Sequence, residues 1–239
     1  MELLVLGCEG SAPSEAGATS GYLLTDGAHR IVLDLGFGTW LALREALAGD
    51  APDAVLLTHR HRDHWADLPE LSRALASGEL DGPAPKLLAP AELLASLDPE
   101  QLAAFEVATL TEGEHQAGGF ALEAKRCDHG PETYAALLTG QSGARLLASA
   151  DTGSEVAWDG WAKGSVFLCE ASYTSPREGS LSHLSGREAG QLACSVEAGE
   201  LWLTHLQHGE DAGEVLAEAR EAFAGPVLAV ERGARYRVG

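Results

Sequence analysis

The chain has 239 residues, 45% of them hydrophobic, enough to bury a sizeable core, and a single domain spanning 1–239 is the expectation. Thirty-six acidic residues against 16 basic ones give a formal net charge of −20, which disfavours partners such as large nucleic acids that require many phosphates to be neutralised. No apolar run approaches the length of a membrane span, so no membrane partner is expected.

Leu3 to Cys8 (LLVLGC) reads as a first strand ending at Gly7, because it lacks the basic n-region and the long apolar run of a secretory leader. Cys8, Cys127, Cys169 and Cys194 are widely spaced in apolar surroundings with no CxxC pair. They are expected to be buried thiols of a reducing compartment, which points to the cytoplasm. Residues 10–21, rich in Gly, Ser, Ala and Pro, form a loop. Tyr22 to Thr25, the turn Asp26-Gly27 and Ile31 to Asp34 form a hairpin. Helical spacing covers Thr39 to Ala48 and stops at Gly49.

Val55-Leu56-Leu57 has the character of a buried strand, and after Thr58 come His59, His61, Asp63 and His64 within six residues. Four metal-competent side chains on a loop anchored by a strand can converge on one point. Neutral imidazoles beside a carboxylate are the ligands that zinc, manganese or iron prefer. A helix follows over Leu68 to Ala76, stopping at Gly78, then a short strand from Lys86 to Leu88. Pro90 to Leu97 and Pro99 to Phe105 read as helices opening on proline.

In the second half, Ala144 to Ala148, Val166 to Cys169 and Leu201 to Thr204 are short apolar strands followed by Asp151, Glu170 and His205. Functional groups just past strand ends are what an α/β scaffold with one active edge shows. His208 competes with His205, which is preferred because it directly follows the strand LWLT; His29 and His115 read as surface residues. Ser185 to Glu188 is a capping box opening a helix through about Val196, and Asp211 with Glu214 opens another to Phe223.

The run His59-x-His61-x-Asp63-His64 after an apolar strand resembles the signature of the metallo-β-lactamase-fold hydrolases. The opening MELLVLGCEGSAPSEAGATSGYLL and the later IVLDLGFGT, ADTG, LCEAS, SHLSGREAG and LTH are similar, in that order, to the branch containing tRNase Z and its phosphodiesterase relatives. The resemblance covers nearly the whole chain. It implies an α/β fold, the four-layer αβ/βα sandwich, with two divalent metal ions, zinc ahead of manganese or iron, and a homodimer. It also implies His59, His61 and His129 for the first ion, Asp63, His64 and His205 for the second, and Asp151 as the bridge. Asp34 would support the metal loop by hydrogen bonds. The implied catalytic set is Asp63, His183 and Glu170, with His183 protonating the leaving oxygen and Glu170 orienting it. A water bridging the two cations would be the nucleophile.

Within that family a bridging aspartate such as Asp151 points away from lactams, and a histidine matching His183 points to phosphodiesters. His183 also precedes a helix start, where free N–H groups favour an anion. Arg60 and Arg62, at the variable positions of the motif, are expected to be solvated. The chain departs from tRNase Z, whose long basic arm lies between the matching histidine and aspartate. Here Asp151 stands 22 positions after His129, room for a turn and two strands. The expected substrate is therefore a small or cyclic phosphodiester. The alternatives are tRNase Z-like RNA 3′ processing, thioester or lactam hydrolysis, and a metal-binding sensor without turnover.

Overall fold

The computed structural model, which describes residues 1–15, 17–175, 179 and 182–239, gathers the apolar runs into two seven-stranded sheets. The first half supplies β1 (Glu2–Gly7), β2 (Glu9–Gly10), β3 (Gly21–Asp26), β4 (His29–Leu35), β5 (Ala54–Leu56), β6 (Lys86–Ala89) and β7 (Glu106–Thr109). Next come β8 (Gly113–Ala117), β9 (Phe120–Arg126), β10 (Tyr134–Thr139), β11 (Arg145–Ala148) and β12 (Val166–Glu170). The last four are β13 (Glu200–Thr204), β14 (Leu206–Gln207), β15 (Val227–Ala229) and β16 (Arg235–Arg237). The helices are α1 (Trp40–Leu47), α2 (Leu68–Ala76), α3 (Ala91–Leu94), α4 (Pro99–Leu102), α5 (Gly186–Ser195) and α6 (Ala212–Ala222).

The sheets run β16-β1-β3-β4-β5-β6-β7 and β15-β13-β12-β11-β10-β9-β8, while β2 and β14 pair separately. Each sheet begins antiparallel and turns parallel, at β4 to β7 in one and β11 to β15 in the other. The C-terminal ends of those two parallel runs supply Asp34, His59, Asp151, Glu170 and His205, described below. Strands covered on both faces carry continuous apolar runs, as in the buried Ile31 to Leu33 of β4.

Alternate residues fill the space between the sheets: Leu24, Ile31 and Leu33 from one meet Phe120, Leu138 and Leu168 from the other. The outer face of the first sheet packs on Leu43 and Leu47 of α1 and Leu68 and Leu71 of α2. That of the second packs on Ala189 and Leu192 of α5 and Val215 and Ala219 of α6. Helix, sheet, sheet and helix make the four layers expected.

Several local readings differ from the structure. The helices read over 90–97 and 99–105 shrink to α3 and α4; the Ser96 hydroxyl donates to the Leu93 carbonyl and ends the first. The hairpin β8–β9 and the edge strand β16 carry no strong apolar run, and β15, within the apolar Val227 to Val230, is a further strand that the sequence reading does not include. Cys127 and Cys169 are buried and Cys8 half-buried, but Cys194 is exposed, on α5 facing α6, where its thiol donates to the Ala222 carbonyl. Among the described residues, no helix is long and apolar enough to cross a membrane.

Gly36, at the end of β4, lets the metal loop approach. A Cβ there would overlap the Asp63 carbonyl oxygen and the Thr19 hydroxyl. Gly36→Ala is expected to lower the unfolding free energy by about 3 kcal/mol, the upper end for overpacking because the obstacle is backbone. An unchanged urea midpoint would show that the loop yields freely.

Candidate metal centre

β5 ends at Leu56 and the buried Leu57 and Thr58 carry the chain on to His59, and one 3-10 turn, Arg62–His64, returns Asp63 and His64 toward it. From the second sheet, β11 leads to Asp151, β12 ends on Glu170 and β13 leads to His205. Three residues at these strand exits adopt left-handed backbone without being glycine: Asp34 (φ 53°), Ala150 (φ 53°) and His205 (φ 61°). Each such residue costs on the order of 1–3 kcal/mol and persists where its surroundings over-determine it. Asp34 is held by accepting from the Thr58 N–H at 2.8 Å and the Thr58 hydroxyl at 2.9 Å. The His205 N–H donates to the Cys8 carbonyl at 2.9 Å.

Asp151 lies at the centre, 2% exposed. Its Oδ2 is 3.5 Å from His59 Nε2 and 3.9 Å from His129 Nε2; its Oδ1 is 3.2 Å from His64 Nε2 and 3.4 Å from His205 Nε2. Each carboxylate oxygen thus faces its own pair of imidazoles. His61 Nδ1 joins the first pair, 3.1 Å from His129 Nε2. Asp63 Oδ2 joins the second, 3.4 Å from His205 Nε2 and 3.6 Å from His64 Nε2, and is steadied by the Ser11 N–H at 2.9 Å. The ligand atoms of His59, His61, His129 and Asp151 form one cluster within 4.8 Å, and those of Asp63, His64 and His205 another.

The far nitrogens of three of these imidazoles are committed. His64 Nδ1 donates to Asp34 Oδ2 at 2.7 Å, and His129 Nδ1 to the Ser182 carbonyl at 2.9 Å. The Thr58 hydroxyl gives its one proton to Asp34, so it accepts from His59 Nδ1 at 3.1 Å. That aims the Nε2 atoms inward, and His59 Nε2 and His64 Nε2 are buried with no hydrogen-bond partner. Buried polar atoms are paired as a rule. A divalent cation would pair these two, and the mixed nitrogen and oxygen donor set suits zinc, manganese or iron. The residues therefore fit a divalent cation.

Burial pushes His59 well below the usual imidazole range, with repulsion from His64, His129 and His61 outweighing the pull of Asp151. Burial also lowers His61 and takes His129 down to about 4, so these three are neutral at pH 7, the form in which an imidazole can ligate a metal. Burial opposes ionisation of Asp151 and Asp63, but the facing histidines win and hold both below the carboxylate range. Burial opposes a proton on His64 too, yet Asp151 and Asp34 hold it well above the imidazole range, so a cation bound here would have to displace that proton.

His183 stands beside the clusters, its Nδ1 4.0 Å from Asp151 Oδ2 and its ring stacked 5.4 Å from that of His205. Nδ1 donates to Glu170, 3.1 Å from Oε1 and 3.2 Å from Oε2. Burial alone would lower the His183 pKa; the hydrogen bond and charge of Glu170 push it up to about 9. Glu170, 1% exposed, also accepts from the Thr152 N–H at 2.6 Å and the Ser172 hydroxyl at 2.8 Å.

Every residue singled out as a candidate ligand or acid from the sequence meets here. Arg60 pairs outward with Glu92, Arg62 lies over the Phe37 ring, and His208 is exposed in an open groove beside the loop at 9–15. His29 binds Gln141 and His115 the Thr111 carbonyl, away from the cluster. Thr58, Ser172, the Ser182 carbonyl and the Ser11 N–H were not anticipated. Ser172 carried a faint signal, since in extended chain it shares the face of Glu170 two positions earlier.

A family model described as the beta-lactamase superfamily domain matches residues 13–206. An uncharacterized protein of Mycobacterium leprae is 36% identical over all of this chain and 89% of its own. YhfI of Bacillus subtilis, a probable metallo-hydrolase, is 30% identical over 98% of both chains. The YhfI crystal structure superposes with a TM-score of 0.90 at 25% identity, over 99% of each chain. Human tRNase Z, short form, gives a TM-score of 0.72 at 18% identity over the full length of both, a likeness of fold.

Proposed function

Because the chain belongs to the beta-lactamase superfamily, we propose that it is a phosphodiesterase acting on a small or cyclic phosphodiester with two divalent cations, zinc foremost. Membership carries the coarser statement unaided: a metal-dependent hydrolase with a candidate metal site.

The observation that supports two cations is the division of Asp151, one oxygen toward His59 and His129 and the other toward His64 and His205. His59, His61 and His129 would hold one ion, Asp63, His64 and His205 the other, and Asp151 would bridge. Such a pair supplies water ionised near neutral pH and positive charge facing the phosphoryl oxygens. The chain itself supplies the leaving-group proton. His183 Nδ1 is committed to Glu170, so Nε2 is the nitrogen that delivers it. An alkoxide is a poor leaving group, and a protonated imidazole held at its oxygen is the help it needs.

Two further features support a small substrate. The interval where a tRNA-gripping arm would lie is filled by β10 and β11, joined by a tight turn over residues 140–143. The formal charge of −20 disfavours a long polyanion. A cytoplasmic location belongs to the same reading, supported by four free cysteines.

The test is a substrate panel offered to the metal-loaded protein with and without chelator: bis-p-nitrophenyl phosphate, a cyclic nucleotide, precursor tRNA, a thioester and a lactam. Chelator-sensitive hydrolysis of the first two is expected. Cleavage confined to precursor tRNA, the thioester or the lactam would replace the reading, and metal binding without any hydrolysis would make the protein a sensor.

A further inference from the structure

In the first half of the fold, one carboxylate at a strand exit serves two histidines. Asp34 receives His64 Nδ1 directly at 2.7 Å and His59 Nδ1 through the hydroxyl of Thr58, at 2.9 and 3.1 Å. The second half contains the same device built from different residues. Glu170 receives His183 Nδ1 directly at 3.1 Å. It receives the Ser172 hydroxyl at 2.8 Å, and that hydroxyl lies 3.0 Å from His205 Nδ1.

A serine hydroxyl has one proton to give. Two acceptors compete for it: Glu170 Oε2 at 2.8 Å and the His205 carbonyl at 3.0 Å, neither of which can donate in return. Were His205 Nδ1 bare, it would be a third acceptor around the same proton, in a place where Ser172 is fully buried and Glu170 is 1% exposed. The contacts are satisfied together only when His205 Nδ1 carries hydrogen and donates to Ser172 Oγ. The proton order then runs from His205 through Ser172 to Glu170, where the proton of His183 also points.

Backbone pairing makes this contact. β12 and β13 run parallel with Glu170 opposite Thr204, and the Ala171 N–H donates to the Thr204 carbonyl at 2.9 Å. One step further along each chain, Ser172 meets His205, which is 33 positions away in sequence. The left-handed backbone of His205 swings its ring toward Asp63 and Asp151, and Ser172 touches both that residue's carbonyl and its ring.

We propose that Ser172 is a positioning residue: its hydroxyl fixes His205 in the Nδ1–H tautomer with Nε2 aimed at the second cluster, and ties that ligand to the carboxylate orienting His183. The proposal rests on the metal-centre reading for its consequence, while the hydrogen on Nδ1 is a property of the metal-free chain, in which Nε2 also donates, to Asp63 Oδ2 at 3.4 Å, until a cation would take its place. Outer partners of this kind typically change metal affinity by about 10- to 100-fold.

The test compares wild type, Ser172→Ala and Ser172→Thr. Long-range proton–nitrogen NMR on metal-free protein reads whether His205 Nδ1 carries hydrogen, and a zinc titration reads both sites. Ser172→Ala is expected to melt close to wild type, to lose the fixed Nδ1–H of His205, and to bind the second ion about 10- to 100-fold more weakly with the first unaffected. Ser172→Thr, which keeps the hydroxyl, restores the tautomer and the affinity. An alanine variant that keeps the Nδ1–H form overturns the proposal, as does one that binds the second zinc within twofold of a wild type that takes two. Failure of the wild type to take a second zinc would instead strike the dinuclear reading, and the NMR comparison would still decide the tautomer.

Discussion

Asp151→Ala is expected to lower turnover on bis-p-nitrophenyl phosphate by about a thousandfold or more, because a bridged cation pair stabilises the transition state by several kcal/mol and each 1.4 kcal/mol is tenfold. The side chain lies 2% exposed, with four imidazole nitrogens within 3.9 Å of its oxygens. On the proposed two-ion reading, removing its charge would take away the carboxylate that offsets the repulsion between the ions. Asp151→Asn is the sharper probe. It preserves size but replaces one oxygen with an NH₂ group, which donates and cannot ligate, so it should retain one ion and lose the other. Elemental analysis of dialysed protein would give two equivalents for wild type and one for the asparagine variant, with far-UV circular dichroism unchanged. Two tightly held equivalents in Asp151→Asn would mean that the aspartate does not bridge.

How much of this could be read from the chain follows from sequence separation. His59, His61, Asp63 and His64 announce themselves because the loop that converges them is local. Asp151, Glu170 and His205 are legible as the first polar groups past apolar strands, which fixes their edge of the sheet. The hydroxyls that set the tautomers are not legible in that way. Ser172 reaches His205 only because β12 and β13 pair in parallel at one register, and Thr58 looks like any strand-end threonine until Asp34 is beside it. The strained exits at Asp34, Ala150 and His205 are equally silent, since none is the glycine that would mark left-handed backbone. Among the strands, β9 does alternate, with Phe120, Leu122 and Ala124 inward, but its intervening Glu123 and Lys125 mask an apolar run. β16 is three residues long and gains its place by pairing with β1 at the far end of the chain.

His183→Ala should lower turnover by about 10²- to 10⁴-fold, the usual worth of a positioned general acid, while leaving metal content unchanged. The reason for separating the two readouts is geometric. His183 sits within 4.0 Å of Asp151 and within reach of a cluster with Asp151 and His205, yet its Nδ1 belongs to Glu170, and it stands outside the two clusters proposed to hold the ions. The size of the loss should depend on the leaving group. A nitrophenolate departs well without a proton and gains little from His183, whereas an alkoxide gains much. The ratio of wild-type to variant kcat should therefore be small for bis-p-nitrophenyl phosphate and rise toward the upper end of that range for an alkyl or cyclic nucleotide phosphodiester. The dependence on leaving-group pKa should steepen in the variant, since charge on the departing oxygen is no longer neutralised in the transition state. Equal ratios across leaving groups, with ions retained, would leave His183 binding the phosphate and would move the proton donor elsewhere in the site.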